Sequence, residues 1–550
     1  MEHQNSEKLS GGDALVRSLI IEGIDTVFGL PGIQLDPMFN ALHDAGNAIS
    51  VINSRHEQGV AYMAFGYSQS TGKVGAYAVV PGPGILNTTA ALSTAYACNT
   101  RVLAITGQIP STSINKGFGM LHEIPEQLEV MKGLTKHSAR INHPTEAPQK
   151  ISEAFRQLRS GRPRPVGLEM PMDIMWKKSE VTLGSKTSGS PAPLPDPDLV
   201  EKAAKILGKS QQPMIFVGGG AYEACQEIKT LAETLQAPVI SYQNGRGILD
   251  ERHYLAHTNT AGAMLWKNCD AAISIGCRMQ AERMSWGMDD ALKIIHVDID
   301  PTEINRIMKP DVGLVSDAAF TTRKIVDALN KYNIKRTSRE EEMLNLKAQA
   351  EKQMEETAGP QMAWLRAIRD VLPDNGLFVD EFTQVGYVSR VGFPVYSPRS
   401  MITPGYQGTL GYGYATALGV KVAHPDKPVV SVNGDGGFMY TMPEIATAVH
   451  HNINLVAIVF SDGAYGNVLR MQRELHDGKI IASQFTNPDF VKLTESFGAL
   501  GLRAKTPNEL RIALEQGFSA NRPTIIEVPV KAFPEPFELL RPTATRGTKG

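Results

Sequence analysis

Long apolar runs, surplus basic charge and cysteine are all scarce in this chain. No stretch of its 550 residues reaches the roughly 18 consecutive apolar residues of a membrane span, so no membrane partner is expected. Lys and Arg total 55 against 57 Asp and Glu, a net charge of -2. Nucleic acid demands a basic face, and none is expected here. The four cysteines, Cys98, Cys225, Cys269 and Cys277, fall in no metal-ligand spacing and read as reduced core residues of a cytosolic chain. The opening MEHQNSEKLSGGDALVRSL has neither the basic start nor the apolar centre of a secretory signal, so cytoplasmic placement is the expectation.

What is present is an ordinary globular balance, 42% hydrophobic and 20% charged, in a chain long enough for about three domains. Up to about residue 175, short β-branched runs alternate with helical segments: "DTVFGLPG", "ISVINSRHEQ", "GAYAVVPGPG", "RVLAITGQIP" and "PVGLEMPMD". Such alternation predicts a parallel sheet covered by helices. The Ser/Pro-rich stretch SKTSGSPAPLPDPD reads as a linker. A second α/β unit follows ("PMIFVGGG", "APVISYQ", "DAAISIGCR", "KIIHVDID"), then a charged helical stretch, then a third unit ("GLFVDE", "PVVSVNGDG", "INLVAIVFSDG", "TIIEVPV"). The expected organisation is an α/β fold of three doubly wound parallel-sheet domains. They span 1–180, 199–335 and 363–535, with linkers at 181–198 and 336–362 and a tail at 536–550. The first and third units echo each other, each reading strand, Gly-rich turn, helix, strand.

Chemistry concentrates in the third unit. "VVSVNGDGG" ends a strand in a carboxylate between glycines, Thr441-x-x-Glu444 reads as a helix capping box, and the next strand ends in Ser461-Asp462-Gly463-Ala464-Tyr465-Gly466. In a right-handed βαβ unit both strands run the same way, so Asp435 and Asp462 emerge together at the carboxyl ends where open α/β sheets bind ligands. Two carboxylates beside a helix N-terminus describe a site for a hard divalent ion and a phosphorylated ligand. Either Asp alone would read as a turn residue.

Gly434-Asp435-Gly436, 24 intervening residues and then Ser461-Asp462 resemble the thiamine-diphosphate fingerprint, GDG followed by a paired Asn. Arg55-His56-Glu57-Gln58-Gly59 and "GPGILNTTAALSTAYACNTRVLAITGQIP" resemble the pyrimidine-binding domain of acetolactate synthase and its carboligase and decarboxylase relatives, from about residue 10 to 535. The resemblance implies thiamine diphosphate and Mg2+. Asp435, Asp462 and the Ala464 carbonyl would hold the metal. Gly434, Gly436, Gly437, Tyr465 and Gly466 would hold the diphosphate, Pro83 and Asn87 of the GPGILN turn would face the cofactor, and Leu410 would prop it in its bent form. Glu57 takes the catalytic position that exchanges a proton with the aminopyrimidine ring. The family usually carries Ser where this chain has Gly437, and Asn where it has Asp462.

The resemblance further implies a small 2-oxo acid substrate and a homodimer as the minimum active unit, with a homotetramer common. Expected activity is decarboxylation of a 2-oxo acid with transfer of the acyl carbanion to an acceptor carbonyl. A non-ligating decarboxylase, a 2-hydroxyacyl- or oxalyl-CoA-type lyase and a non-catalytic relative are the alternatives, and retained Glu57 argues against the last. Gln34, Gln108, His122 and Arg470 are the candidate pocket residues, Arg470 standing where acetolactate synthases have a Gln-Trp pair nearby. Arg278 and Asp298 resemble positions that contact FAD or ADP in relatives, but "TNTAGAMLW" is a poor match to the segment that lines the flavin.

Overall fold

A computed structural model describes residues 6–543 and 545–547. Its frame is three six-stranded sheets, every pairing within them parallel. The first comprises Thr26–Gly29, Ser50–Asn53, Gly75–Val79, Val102–Gln108, His137–Arg140 and Val166–Pro171. In space these run second, first, third, fourth, sixth, fifth. The third unit (Leu377–Val379, Met401–Ile402, Val429–Gly434, Val456–Ser461, Leu500–Arg503, Thr524–Pro529) repeats that order, which gives the sequence echo a structural basis. In the middle unit the order is third, second, first, fourth, fifth, sixth, the arrangement of dinucleotide-binding sheets. A small antiparallel pair, Glu7–Ser10 with Lys178–Val181, ties the start of the first unit to its end.

Strands such as "VVSVN" and "VAIVF" are continuous apolar runs because helices cover both faces of a parallel sheet, and their residues are buried accordingly. Glycine lets two of the covering helices meet backbone to backbone. Helix Glu57–Thr71 of the first unit crosses helix Gly413–Ala423 of the third, with Gly66 against the Thr416 carbonyl and Gly419 against that of Met63. A methyl group at either glycine would fall on the opposing backbone. Around this crossing one apolar core is shared by both units, joining Tyr62, Phe65 and Leu92 to Tyr414, Leu418, Phe438 and Leu455. The middle unit keeps cores of its own.

Two local expectations are corrected. Thr441 and Glu444 form no capping box: the segment is a short 3-10 turn, Met442–Glu444, without a side-chain cap. Thr441 Oγ1 donates to Gly411 O, and Glu444 turns to the first unit. The charged stretch becomes helix Glu340–Val371, broken by non-helical Ala358 just ahead of Pro360, and its second half buries Met362, Trp364, Leu365 and Ile368 in the third unit. Among the described residues no helix is long and apolar enough to cross a membrane.

Candidate active site

Asp435 stands at the end of strand Val429–Gly434 and is 2% exposed. Its Oδ2 accepts from Asp462 N (2.9 Å), Gly463 N (2.8 Å) and Asn487 Nδ2 (2.7 Å), and its Oδ1 from Gly436 N (2.8 Å). The carboxylate therefore holds the start of the loop after the neighbouring strand. Asp462 Oδ1 accepts from Ala464 N and Oδ2 from Gln384 Nε2, at 3.2 and 2.8 Å. From outside, the same loop is clamped by Tyr465 N donating to Ser483 O and Phe485 N to Gly463 O. Burial, then the neighbouring Asp435 charge, raises the Asp462 carboxyl above its ordinary range. A bound cation would relieve that repulsion.

These groups open on a cavity of about 170 Å³ lined by Gly434, Asp435, Gly436, Gly437, Asp462, Ala464, Tyr465 and Gly466 on one side, and by Leu410, Phe382, Thr383 and Gln384 on the other. Helix Gly466–Leu475 begins there with no acid in its first turn and no capping side chain, so its leading N–H groups are free for an anion. A Cβ at Gly436 would sit 2.6 Å from the Tyr465 ring, and one at Gly466 3.0 Å from Asp462 Oδ2. Both glycines keep the floor bare.

Directly beneath lies Glu381, fully buried. Its Oε1 accepts from Gly411 N, next to Leu410. A Cβ at Gly437 would fall on the same oxygen, well inside van der Waals contact, so glycine is what fits beside Glu381. Glu381 Oε2 and Asn433 Oδ1 both lack partners, and both face Gly413, 2.8 and 2.6 Å from where its Cβ would be. Asn433 Nδ2 is committed to Ser431 Oγ and Ile458 O, leaving its oxygen as an acceptor that a neutral Glu381 suits. Burial pushes the Glu381 carboxyl up to about 8. An acid raised in the folded state gives its full stabilisation below its unfolded value near 4.5 and loses it as pH climbs through 8. The expected slope is about 1.4 kcal/mol per pH unit across that window. Replacing Glu381→Gln, which keeps an acceptor for Gly411 and a donor for Asn433, is expected to flatten this dependence in urea-unfolding midpoints measured from pH 5 to 8. Equal slopes in both proteins would count against a neutral Glu381.

In the first unit Glu57 opens helix Glu57–Thr71, and its Oε2 accepts from Asn87 Nδ2 at 3.0 Å. Asn87 ends the short helix Pro83–Asn87, so the GPGILN turn holds the acid. Gly82, at φ 60°, packs where a Cβ would strike the His122 carbonyl. His122 Nδ1 meets Gln34 Oε1 at 3.2 Å, and Gln34 Nε2 donates to Leu121 O. Gln34, His122 and the Gly82–Pro83 turn thus come together. Gln108 does not join them. At the end of a central strand it is turned inward, bonded to Ile109 N and to buried Glu169. Glu444, from the segment after the Asp435 helix, accepts from Arg55 N and His56 N and fixes the loop that delivers Glu57. Glu57 is not among the residues lining the Asp435 cavity.

Three family models match in order: the N-terminal TPP binding domain of thiamine pyrophosphate enzymes over residues 9–130, their central domain over 200–328 and their C-terminal TPP binding domain over 383–528. A probable acetolactate synthase large subunit of Methanocaldococcus jannaschii is 31% identical over 96% of this chain and 93% of its own length. This chain belongs to the thiamine-diphosphate enzymes. Acetolactate synthase isozyme 3 large subunit of Escherichia coli is 28% identical over 95% of both chains, and a probable 2-ketoarginine decarboxylase of Pseudomonas aeruginosa 31% over 96% and 95%.

For a thiamine-diphosphate enzyme the donor set fits the cofactor: bare glycine floor, free helix N–H groups and a carboxylate pair bonded only to neutral donors. Arg470, expected at the substrate, instead shares its guanidinium with Glu474 and Asn467 and faces the Phe537 ring at 5.4 Å. In the middle unit Asp298 lines a cavity of about 190 Å³ with Gly219, Gly220 and Gly276, closed by Arg101, Arg162 and Arg399. Arg278 lies elsewhere, bonded to Glu303 at 2.8 Å and set against Tyr406. Gln384, Asn487 and Glu381 were not foreseen. Only Glu381 left a signal, the acid pair closing "GLFVDE".

Proposed function

We propose that the chain decarboxylates a 2-oxo acid with thiamine diphosphate and Mg2+, and passes the acyl carbanion to an acceptor carbonyl. The observation that carries this reading is the joint placement of Asp435, Asp462, Ala464 and an uncapped helix N-terminus around one cavity. Asp435, Asp462 and the Ala464 carbonyl hold the ion, which prefers few carboxylates completed by phosphate oxygens. The amides of Gly436, Gly437, Tyr465 and Gly466 would take the diphosphate, and Leu410 would support the cofactor from the opposite wall. When bound, thiamine diphosphate supplies the carbanion chemistry that a side chain cannot. Glu57 would hold a proton on Oε1, the oxygen Asn87 leaves free.

Two copies of the chain complete each site in this reading. Glu57 stands outside the Asp435 cavity, and both halves carry exposed apolar side chains nearby: Ile33, Leu86, Phe118 and Leu121 in the first unit, Tyr440, Val468, Leu475 and Ile481 in the third. Such surfaces mark association sites. Flavin has no part in the proposal, since Arg278 is committed to Glu303.

A second reading, decarboxylation without ligation, is favoured by the helix after Gly466, where Asn467-Val468-Leu469-Arg470-Met471 offers no aromatic wall for an acceptor. Incubation with 2-oxo acids, with and without an aldehyde, followed by product analysis separates the two. A new carbon–carbon bond is the expected result. Release of free aldehyde alone would establish the second reading, and no CO2 from any 2-oxo acid would overturn both.

A further inference from the structure

A second cavity, of about 180 Å³, adjoins the first and shares Phe382 and Tyr387 with it. The end of a middle-unit strand (Ser241, Tyr242, Gln243), Asn259 at the head of helix Asn259–Trp266, helix Gln384–Gly392 and the C-terminal helix Phe537–Leu540 with Arg541 form its walls. Its charged groups are all of one sign. Two guanidinium groups line it and no carboxylate does. Arg390, its side chain 10% exposed, gives Nε to Asp380 at 3.1 Å, but its Nη2 is buried without a partner. Arg541 has no acid partner among the described residues; its guanidinium lies 5.6 Å from the Phe537 ring. The Asn259 amide, 5% exposed, carries a buried oxygen with no partner.

Buried polar groups are ordinarily satisfied, so an unpartnered guanidinium N–H on a residue that lines this cavity points to an acceptor that belongs there. The acids within reach do not supply it. Asp380 already holds Arg390 and accepts from Tyr412, and burial pushes the Glu282 carboxyl, near Tyr242, up to about 7. Around Arg390 aromatic rings exclude water, while Arg541 stands at the exposed mouth. Tyr387 packs edge-on to Phe537 at 5.3 Å and to Phe382 at 5.6 Å, while Arg390 covers Phe382 at 4.4 Å. In such surroundings a charge-assisted bond is stronger than in water. The same two charges repel a cationic side chain.

We propose that this cavity binds a carboxylate at the far end of the substrate, and that the donor is a 2-oxo dicarboxylate. The inference rests on the 2-oxo acid reading above and names its substrate class. Arg390 and Arg541 fork the carboxylate oxygens, and Phe382 and Tyr387 flank the passage to the Asp435 cavity.

Protein loaded with thiamine diphosphate and Mg2+ tests this by kcat/KM for CO2 release. The compared pair is 2-oxoglutarate and 5-methyl-2-oxohexanoate, in which an isopropyl group replaces the far carboxylate. A preference of about 10- to 100-fold for the dicarboxylate is expected from one or two charge-assisted bonds, and Arg541→Gln should reduce that ratio at least about tenfold. Preference for the neutral acid, or a ratio that Arg541→Gln does not change, overturns the proposal. Calorimetry with glutarate and with 5-methylhexanoate, in which an isopropyl group replaces one carboxylate, reads the pocket without turnover. Glutarate binding that Arg541→Gln weakens supports the pocket, and no glutarate binding overturns it. If glutarate binds but no 2-oxo acid releases CO2, the pocket stands and the reaction assigned above falls.

Discussion

Replacing Glu57→Gln is expected to lower turnover by about 10²- to 10⁴-fold, the usual contribution of a positioned acid–base group, while thiamine diphosphate still binds. The substitution preserves size and leaves an oxygen for Asn87 Nδ2, so the contact that orients the side chain at 3.0 Å survives. Only the exchangeable proton is removed. The loop before it also survives, because Glu444 grips the backbone of Arg55 and His56 and touches no atom of the Glu57 side chain that the substitution changes. Cofactor affinity by fluorescence titration and kcat under saturation separate the two effects. Near-normal kcat would remove Glu57 from the catalytic position, and loss of cofactor binding would recast it as a structural residue.

Asp435→Ala is expected to abolish both metal retention and turnover. Beyond the lost ligand, it leaves Asp462 N, Gly463 N and Asn487 Nδ2 without their acceptor, each such loss costing about 1–3 kcal/mol where water cannot reach. The Ser461–Gly466 loop then has no anchor on the strand beside it. Asp462→Asn should behave differently. Its oxygen can still accept from Ala464 N, and removing a charge from beside Asp435 ends the repulsion that raises the Asp462 carboxyl. Activity within about tenfold of the parent is expected, the residual cost being a rearranged Gln384 contact worth about 1 kcal/mol. Metal content after dialysis, measured with kcat for both variants, checks the pair. An active Asp435→Ala protein that retains its metal would sink the metal assignment.

Interior strands were legible in the sequence because both their faces are buried, which forces runs such as "VLAIT" and "VAIVF". The sheet strands it concealed, His137–Arg140, Ala256–Thr258, Val312–Val315, Met401–Ile402 and Leu500–Arg503, all lie at sheet edges. With one neighbour each, they are short and need no continuous apolar run. Asp435 and Asp462 were readable because strand, helix and strand fix their spacing. Gln384 and Asn487 were not, since they reach those acids from 78 and 52 residues away, a distance only the folded chain closes. Glu444 misled for a related reason: its local pattern matched a cap, but a buried inter-unit contact with two amide donors took precedence over the local turn.

The apolar core shared by the first and third units has a consequence for how the chain can be taken apart. Boundaries along the sequence are not boundaries of stability here: the two sheets that carry the chemistry stand on common packing, with the middle sheet interposed in the chain between them. Cutting the exposed segment around 185–198 would break the covalent string without dividing the working body. Neither catalytic half, made alone, would have a finished interior. In architectural terms the protein is one two-winged machine carrying an insert, and the insert shares none of its apolar core with the wings.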